Sequence, residues 1–287
     1  MLKNNEYCLM NIEESRLVNS FGGELLDGKI TLESNRCYKN ISSRPQQDAI
    51  LSFVKSDNCY LNVIADGAGS CPKADKASIK VIESLKIWFE SISEQELNIL
   101  LPNELVKKIE EVLINTNNKL VLEENGKAYS TVVLALTLKL YTLIANIGDS
   151  TAYMYRSDSN KLIELSELHS LSNGLSYEDA RHNEDNNIIT KSIGSKFNSF
   201  NINSNFDKNM SYKLIRNVGQ RIILSSDGVT DLISENSFKF FFKNSYPAKA
   251  IVNYAVNRPE VSDCIKKNDN VSAIVIDLPN EKKKVLK

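Results

Sequence analysis

Five aspartates stand at the ends of apolar segments that have the length of β-strands. Asp66, Asp149 and Asp227 each follow such a segment, in NVIADGAGS, LIANIGDS and IILSSDG. Asp269 and Asp48 each precede one, in NDNVSAIVID and DAILSFV. In an antiparallel sheet, the carboxyl end of one strand lies beside the amino end of its neighbour. The sequence therefore predicts that all five carboxylates meet at one edge of the sheets.

Carboxylates gathered in this way repel one another unless a cation lies among them. Oxygen ligands select Mg²⁺ or Mn²⁺ rather than zinc, and the two histidines, His169 and His182, form no zinc-binding motif. A pair of such ions can activate water and hold a phosphoryl group, which indicates hydrolysis of a phosphate ester. The alternative is that each acid belongs to an ordinary turn, since Asp and Gly both favour turns. That alternative explains any single Asp-Gly pair more easily than it explains the whole set.

Hydrophobic periodicity predicts the elements that must position these acids. A strand pair is expected over residues 48–54 and 59–65. Helices are expected over about 74–91, where apolar residues recur at helical spacing, and over about 102–124, where Pro102 suits the first turn.

Strands dominate the chain after Gly126. They are predicted over residues 130–140, 141–148, 151–156, 161–165, 221–226 and 271–278, with two short helices near 235–243 and 247–256. Runs of strands separated by paired helices favour an α+β fold of antiparallel sheets over a doubly wound parallel sheet. Residues 166–210 are polar and rich in Asn, and so long an irregular segment within a domain is typical of a functional loop.

The composition excludes several classes of function. Of 287 residues, 42% are hydrophobic and 25% are charged, and the net charge is −1. These values are typical of a globular domain without the basic stripe that binds nucleic acid. The five cysteines form no C-x-x-C pair, which favours a reducing cytoplasm. We expect no signal peptide and no membrane span, because the N-terminus lacks an apolar core and the apolar stretch 131–147 is typical of two strands.

The segments that carry the acids resemble those of the metal-dependent protein phosphatases, the type 2C or PPM family of Ser/Thr phosphatases. Six segments resemble its motifs in the same order along the chain: RPQQDA, VIADGAGS, YSTVVLALTL, ANIGDSTAYMYR, IILSSDGVTDLIS and DNVSAIVI. The Q-D-A and D-G-A-G-S forms are most similar to a bacterial branch of the family.

The resemblance implies a four-layer α-β-β-α sandwich of two antiparallel sheets flanked by helices. A single phosphatase domain is expected over residues 21–279, with a flap-like insert at about 166–210 beside the metal cleft. Residues 1–20 are expected to form a peripheral segment, and residues 280–287 a basic tail.

By the same resemblance, Asp66 bridges two Mn²⁺ or Mg²⁺ ions, and the carbonyl of Gly67 binds the second of them. Asp227 and Asp269 bind the first ion, so that catalysis depends on these two acids and Asp66. Asp48 is implied to support the second ion, directly or through water.

A further implied ligand is Asp149, which corresponds to the residue that binds a third, weaker ion in bacterial members. Arg44 resembles the phosphate-binding Arg but lies one position later, and a solvent-facing or turn-fixing role is the alternative.

Gln47 stands where an acid is common, which predicts a weaker second metal site. Tyr129 replaces a usual Gly, which we interpret as a packing change. Ala68 stands where some members have a His that acts as the general acid. The leaving group would then take its proton from a metal-bound water, from another group or from His169. The alternative for His169 is that it is merely an exposed loop residue.

The activity implied is one-step hydrolysis of phosphoserine and phosphothreonine by a metal-bridged hydroxide. The implied partners are a phosphorylated protein and a cognate Ser/Thr kinase, with the phosphatase a monomer that binds neither nucleic acid nor membrane. Two alternatives remain at this point. One is a catalytically weak phosphoprotein-binding relative, for which Gln47 is the motivation, and the other is a metallohydrolase of a small phosphoester.

Overall fold

A computed structural model describes residues 7–10, 20–36, 45–156, 158–183, 188–195, 210–243, 248–257 and 269–280 of the chain. In chain order its strands are β1 (Tyr7–Met10), β2 (Ser20–Leu25), β3 (Ile30–Asn35), β4 (Ala49–Ser56), β5 (Cys59–Ala65), β6 (Val132–Thr137), β7 (Tyr141–Ile147), β8 (Thr151–Arg156), β9 (Lys161–Glu164), β10 (Ser211–Arg216), β11 (Arg221–Ser225) and β12 (Val271–Asp277). Its helices are α1 (Ala74–Ser91), α2 (Glu94–Ile99), α3 (Pro102–Glu124), α4 (Tyr177–Arg181), α5 (Asp227–Thr230), α6 (Glu235–Lys243) and α7 (Ala248–Asn257).

The strands form two antiparallel sheets, each with six strands in the described part of the chain. The first sheet has the spatial order β1-β4-β5-β6-β7-β10, and the second has the order β2-β3-β12-β11-β8-β9. The chain crosses between the two sheets in the short connection from β7 to β8. The second sheet joins distant parts of the chain, because β12 lies between β3 and β11.

Three apolar clusters hold the layers together. Leu85 of α1 and Ile109 of α3 belong to the cluster on the outer face of the first sheet. Ile64 and Leu224 belong to the cluster between the sheets, and Phe238 of α6 belongs to the cluster on the outer face of the second sheet. The predicted four-layer α-β-β-α sandwich is therefore confirmed.

The strongly patterned elements match their predictions. Pro102 occupies the first turn of α3, where its missing N–H costs nothing. The apolar stretch 131–147 forms β6 and β7, which are buried on both faces because a helix layer covers one face and the second sheet covers the other. In the described residues, no helix has the length and apolar character needed to cross a bilayer.

Several elements were not predicted, and each carries a weak local signal. β2 contains two adjacent glycines, and β10 is an edge strand with mostly exposed side chains. β3 buries polar residues such as Glu33, which hides its pattern. β1 pairs with β4, so part of the segment predicted as peripheral over residues 1–20 forms the edge of the first sheet.

The described parts of the insert, residues 166–183 and 188–195, contact both outer helix layers. On the side of the second sheet, the Tyr177 ring stacks on Phe238 with 6.1 Å between centroids, and its hydroxyl donates to the Ile233 carbonyl at 3.0 Å. On the side of the first sheet, the Gly194 N–H donates to Asn117 Oδ1 of α3 at 2.7 Å. The insert is thus attached to a helix of each outer layer.

Candidate metal centre

Strand pairing in the first sheet brings Asp48 and Asp66 to one edge. Asp48 directly precedes β4 and Asp66 directly follows β5, and the register sets Ala49 opposite Ala65. The two acids therefore continue from neighbouring antiparallel strands at the same end.

The second sheet brings its acids to the corresponding edge. Asp227 follows β11 and opens the short helix α5, while Asp269 lies two residues before β12, with Ser225 set opposite Ala273. Asp149 lies in the connection between β7 of the first sheet and β8 of the second. The structure thus places all five aspartates at the edge that their positions in the sequence predicted.

A cleft of about 740 Å³ opens at this edge. It is lined by Asp66, Ala68, Gly69, Ser70, Tyr129, Asp149, Ile188, Ile189, Thr190, Ser192, Ser195, Asp227 and Asp269. Two predicted site residues, Asp48 and Gly67, are not on its surface, and Asp48 is fully buried behind it. Arg44 lies outside the described residues, so its predicted contact with phosphate stays a prediction.

The electrostatic environment of Asp66 joins the five carboxylates into one cluster. Burial raises the pKa of Asp66 well above its ordinary value, and the charges of the other four acids (Asp48, Asp227, Asp269 and Asp149) raise it further. Burial also raises the pKa of Asp48 to about 6, with Asp227 adding to the rise and hydrogen bonds from hydroxyls opposing it. The cluster therefore disfavours its own ionisation, as expected for acids arranged to receive cations.

Hydroxyl groups fix the buried acid behind the cleft. Ser272 Oγ donates to Asp48 Oδ2 at 2.6 Å and lies 2.7 Å from Ser34 Oγ, which in turn accepts from the Gln46 amide. The Ser272 N–H donates at 3.0 Å to the Oγ of Ser226, the residue that directly precedes Asp227. These contacts join the beginning of β4 to β3, β12 and the end of β11, and so set the spacing between acids of the two sheets.

Two glycines allow the backbone turns beside the acids. A Cβ on Gly67 would collide with the Ala74 carbonyl of α1, so only glycine permits this close approach. Gly148 has a φ of 102°, in the region that favours glycine, and a Cβ there would lie 2.6 Å from Thr131 Cβ. The Thr131 hydroxyl accepts the Asp66 N–H at 3.2 Å. The turns before Asp149 and after Asp66 therefore pack against the start of β6.

Gln47, which stands where an acid is common in the family, is buried at the cleft wall. Its N–H donates to Asn270 Oδ1 at 2.8 Å, and its carbonyl accepts the Gly67 N–H at 3.2 Å. Its Oε1 lies 3.6 Å from where a Cβ of Gly69 would be. The side chain thus approaches the loop that lines the cleft.

His169 is buried rather than exposed, so the interpretation of a merely exposed loop histidine was wrong. The imidazole Nδ1 accepts the Gly148 N–H at 3.1 Å, and the backbone N–H of His169 donates to the Gly148 carbonyl at 2.9 Å. Burial lowers the pKa of His169 to about 4, and the positive charge of Lys191 is a smaller cause of the same shift. A neutral imidazole that accepts a backbone hydrogen bond away from the cleft surface is not placed to act as an acid on substrate.

Other residues of this edge carry no recognisable signal in the sequence. Arg36 directly follows β3 and is buried, and its carbonyl accepts from Asn270 Nδ2 at 2.8 Å. An arginine after a strand is most often a surface residue, so nothing in the sequence distinguishes it. Asp231 follows the short helix α5, and its N–H donates to the Asp227 carbonyl at 2.8 Å. It lines a cavity of about 40 Å³ that adjoins the cleft at Asp149 and Asp227.

The residues of the cleft fit a hard divalent cation. They offer the carboxylate oxygens of four aspartates, and no His or Cys is among the lining residues within the described chain. Among the described residues, no group of three or more His, Cys, Asp or Glu side chains is arranged to hold a metal ion by itself. Mg²⁺ tolerates such a site, because it commonly keeps several waters and takes only one or two carboxylates from the protein.

Known proteins similar to this chain are bacterial serine/threonine phosphatases. The serine/threonine phosphatase stp of Listeria welshimeri is 25% identical over 202 residues, which cover 67% of this chain and 75% of that protein. The phosphatase of the same name from Listeria monocytogenes serovar 1/2a is 24% identical over the same shares.

Solved structures share the fold. A bacterial serine phosphatase superposes with a TM-score of 0.69 at 22% identity, covering 88% of this chain and 98% of that one. The Mycobacterium tuberculosis phosphatase PstP/Ppp gives a TM-score of 0.64 at 18% identity, covering 87% and 97%. The sequence profile described as Protein phosphatase 2C matches residues 39–255, well over half of the chain. The chain that carries this acidic cleft therefore belongs to the protein phosphatase 2C family.

Proposed function

We propose that the protein is a metal-dependent phosphatase that hydrolyses phosphoserine and phosphothreonine in proteins. The observation that carries this proposal is the convergence of five coupled carboxylates, contributed by both sheets, in and behind one cleft. Membership of the protein phosphatase 2C family and the serine/threonine phosphatases among its relatives support the same substrate class.

In this proposal, Asp66, Asp227 and Asp269 hold two divalent cations at the cleft surface. The carbonyl of Gly67, which follows Asp66 but does not line the cleft, is proposed as a further ligand. Bound there, the ions would activate water and neutralise charge on the phosphoryl oxygens. Asp48 acts from behind the surface, where the Ser272 hydroxyl holds one of its oxygens.

Asp149 is proposed as the ligand of a third ion. It faces both the main cleft and the small adjoining cavity, which it shares with Asp227 and two further acids, Glu164 and Asp231. Burial raises the pKa of Glu164 to about 7. A third cation would therefore find additional acidic groups on the side away from Asp66.

The chain's own groups exclude some routes for the proton that the leaving group requires. His169 is held neutral with its Nδ1 occupied by the Gly148 N–H, and Ala68 has no proton to give. The cleft lining supplies hydroxyls instead, on Ser70, Thr190, Ser192 and Ser195.

We further propose Mn²⁺ or Mg²⁺ as the ions, a cognate Ser/Thr kinase that phosphorylates the substrate, and a monomeric enzyme. The all-oxygen donor set supports the choice of metals. A cytoplasmic location is supported by Cys8 and Cys71, whose thiols are free in the described chain.

The proposal is tested by phosphate release from phosphoserine and phosphothreonine peptides and from p-nitrophenyl phosphate. We expect activity to require added Mn²⁺ or Mg²⁺, to disappear with EDTA, and to favour the phosphopeptides in kcat/KM. Asp66→Asn should lower kcat by at least about a hundredfold, because it removes a proposed ligand of both ions.

The matched control is Asp158→Asn, which changes an acid on the surface that is ion-paired to Arg156 at 2.7 Å and should leave activity as in wild type. Full activity in a rigorously metal-free sample would sink the metal-dependent mechanism. Turnover of p-nitrophenyl phosphate without any turnover of phosphopeptides would instead favour a hydrolase of small phosphoesters.

A further inference from the structure

Among the described residues that line the cleft, Tyr129 is the one aromatic residue, and it lies between the loop after Asp66 and the insert. Its carbonyl accepts the Ala68 N–H at 3.0 Å, which ties it to the loop after Asp66. A Cβ on Gly194 would lie 3.4 Å from Tyr129 Cδ1, so the ring packs against the backbone of the insert. The side chain is half-buried and contributes to the cleft surface.

The insert supplies more apolar surface to the same cleft. Ile188 and Ile189 both line it, and Ile188 is 48% exposed. Leu171 is 56% exposed, and its N–H donates to the Ile188 carbonyl at 3.2 Å, so the apolar surface continues onto the adjacent turn. Exposed branched side chains that share a cleft with catalytic groups are typical of a binding site.

The charges of the cleft lining favour an apolar ligand group over an acidic one. Among the described lining residues every charged side chain is an aspartate, and the others are apolar, hydroxyl-bearing or glycine. A cleft of about 740 Å³ is also far larger than a phosphoryl group needs. The space beyond the acids therefore suits the residues that flank the phosphorylated one.

We infer that Tyr129 and Ile188 form a specificity subsite for an apolar side chain adjacent to the phosphorylated residue of the substrate. This inference rests on the proposed phosphatase function and names the substrate class: phosphopeptides with Leu, Ile or Phe beside the phosphoserine or phosphothreonine. The apolar side chain packs on the phenol ring and the isoleucine, while the acids and their ions receive the phosphoryl group.

The test compares phosphoserine peptides that differ at one flanking position, with Leu, Ala or Asp placed before or after the phosphoserine. In at least one of the two positions, we expect kcat/KM for Leu to exceed that for Ala about tenfold, the effect of a few buried methylenes in a partly open pocket. The Asp peptide should be hydrolysed more slowly than the Ala peptide.

Variants assign the preference to the subsite. Tyr129→Gly and Ile188→Ser should each reduce the Leu-to-Ala ratio to about two or less, whereas Tyr129→Phe, which keeps the ring, should retain it. The ratio is taken within each variant, so a general loss of activity cancels. Ile188 is half exposed, so its replacement should fold even if Tyr129→Gly does not. Ile99→Ser is the control, because Ile99 is 80% exposed at the end of α2 and should leave the ratio unchanged.

The outcomes separate this inference from the proposed function. Equal hydrolysis of the Leu and Ala peptides by wild type overturns the inference alone, as does a preference that survives both Tyr129→Gly and Ile188→Ser. Hydrolysis of p-nitrophenyl phosphate without hydrolysis of any peptide overturns the proposed function and the inference with it.

Discussion

Under the proposed function, single aspartates in this cleft would stabilise a bound ion at the expense of the metal-free chain. Each close pair of like charges is unfavourable by roughly 1–4 kcal/mol at the dielectric of a protein surface. The raised pKa values of Asp66 and Asp48 are a direct consequence of burial and of these neighbours. Residues placed for function in this way commonly lower stability.

We therefore predict that Asp227→Asn abolishes turnover but leaves the metal-free protein at least as stable as wild type. The change keeps the backbone carbonyl of residue 227, which accepts the Asp231 N–H at 2.8 Å, and replaces the charged carboxylate by a neutral amide of the same shape. With Mn²⁺ the order should reverse, because ions that bind only the folded state contribute about 2.7 kcal/mol at a hundred times Kd. The measurement is thermal unfolding of both proteins in EDTA and in millimolar Mn²⁺.

Asp75→Asn is the matched control, since Asp75 is likewise an acid in the first turn of a helix but lies outside the cleft lining. It reports the loss of a helix-dipole interaction, worth about 0.3–1 kcal/mol. If Asp227→Asn melts well below wild type in EDTA, Asp227 serves mainly as a structural turn or cap.

A second residue-level prediction concerns Gln47→Glu. The change brings a further carboxylate to the wall of the cleft, beside Gly69, without altering the shape of the side chain. We expect a several-fold decrease in the Mn²⁺ concentration for half-maximal activity and a lower melting temperature in EDTA. Gln95→Glu adds the same charge on the exposed surface and is the control. It should change neither the Mn²⁺ concentration for half-maximal activity nor the melting temperature in EDTA. An unchanged Mn²⁺ requirement would show that Gln47 does not affect the ligands of the second ion.

The sequence predicts the positions of the five acids because each is adjacent to a strand whose pattern is strong. It does not predict the burial of His169 or Arg36, which depends on contacts with Gly148 and Asn270 far along the chain. Tyr129 was interpreted as a packing change, and its place in the cleft lining depends on the insert, whose path has no periodic signal.

At the scale of elements, the insert is held by hydrogen bonds that reach the turns beside the acids. His169 makes a reciprocal pair of hydrogen bonds with Gly148, directly before Asp149, and its carbonyl accepts the Thr190 N–H at 2.7 Å. The insert between β9 and β10 is therefore coupled to the connection that joins the two sheets.

We predict that His169→Phe destabilises the protein by about 1–3 kcal/mol, because it leaves the buried Gly148 N–H without its acceptor. His169→Asn, whose side-chain oxygen can replace Nδ1, should cost less. The measurement is urea unfolding at pH 7.5 in EDTA. Equal stability of the Phe variant and wild type would mean that the hydrogen bond contributes nothing to folding.

The same histidine predicts a dependence of stability on pH. Its pKa is about 4 in the folded state and about 6.5 in an unfolded chain. Between these two pH values, the unfolded chain binds a proton at His169 that the folded protein does not bind. The stabilising contribution of neutral His169 is therefore complete above pH 6.5 and is lost as the pH falls toward 4. Wild type should lose about 2 kcal/mol more than His169→Asn between pH 7.5 and pH 5. Parallel losses in the two proteins would contradict the assignment.

Elements with a full apolar face, such as α1 and β6, are predictable because one local pattern determines them. β3 is not, because its polar residues are buried through specific partners: Ser34 lies against Ser272, and the Thr31 hydroxyl accepts the Ala248 N–H. Burial of this kind depends on tertiary contacts that a local pattern does not contain.

At the scale of the whole molecule, the cleft lies at the junction of two sheets that otherwise meet through apolar packing. Asp48 and Asp66 come from the first sheet, whereas Asp227 and Asp269 come from the second. An ion bound by acids of both sheets would link the two layers at this edge.

Hydrogen exchange tests this link. Mn²⁺ should slow exchange of the Thr131 amide in the first sheet and of the Ser272 amide in the second, since both bond to groups beside the acids. The β4–β5 and β6–β7 turns lie at the opposite ends of their strands and serve as the internal control, with exchange unchanged. Protection confined to one sheet would contradict an ion shared between them.

The position of β12 in the middle of the second sheet has a consequence during protein synthesis. β12 pairs with β3, setting Val271 opposite Asn35, so the edge of β3 that faces away from β2 stays unpaired until β12 is synthesised. The first sheet has no such delay among β4, β5, β6 and β7, which pair with their neighbours in sequence. A nascent chain can thus form the half-site of Asp48 and Asp66 early, but it acquires Asp269 only when β12 emerges. Incomplete chains should accordingly remain inactive toward phosphoproteins that they meet while still on the ribosome.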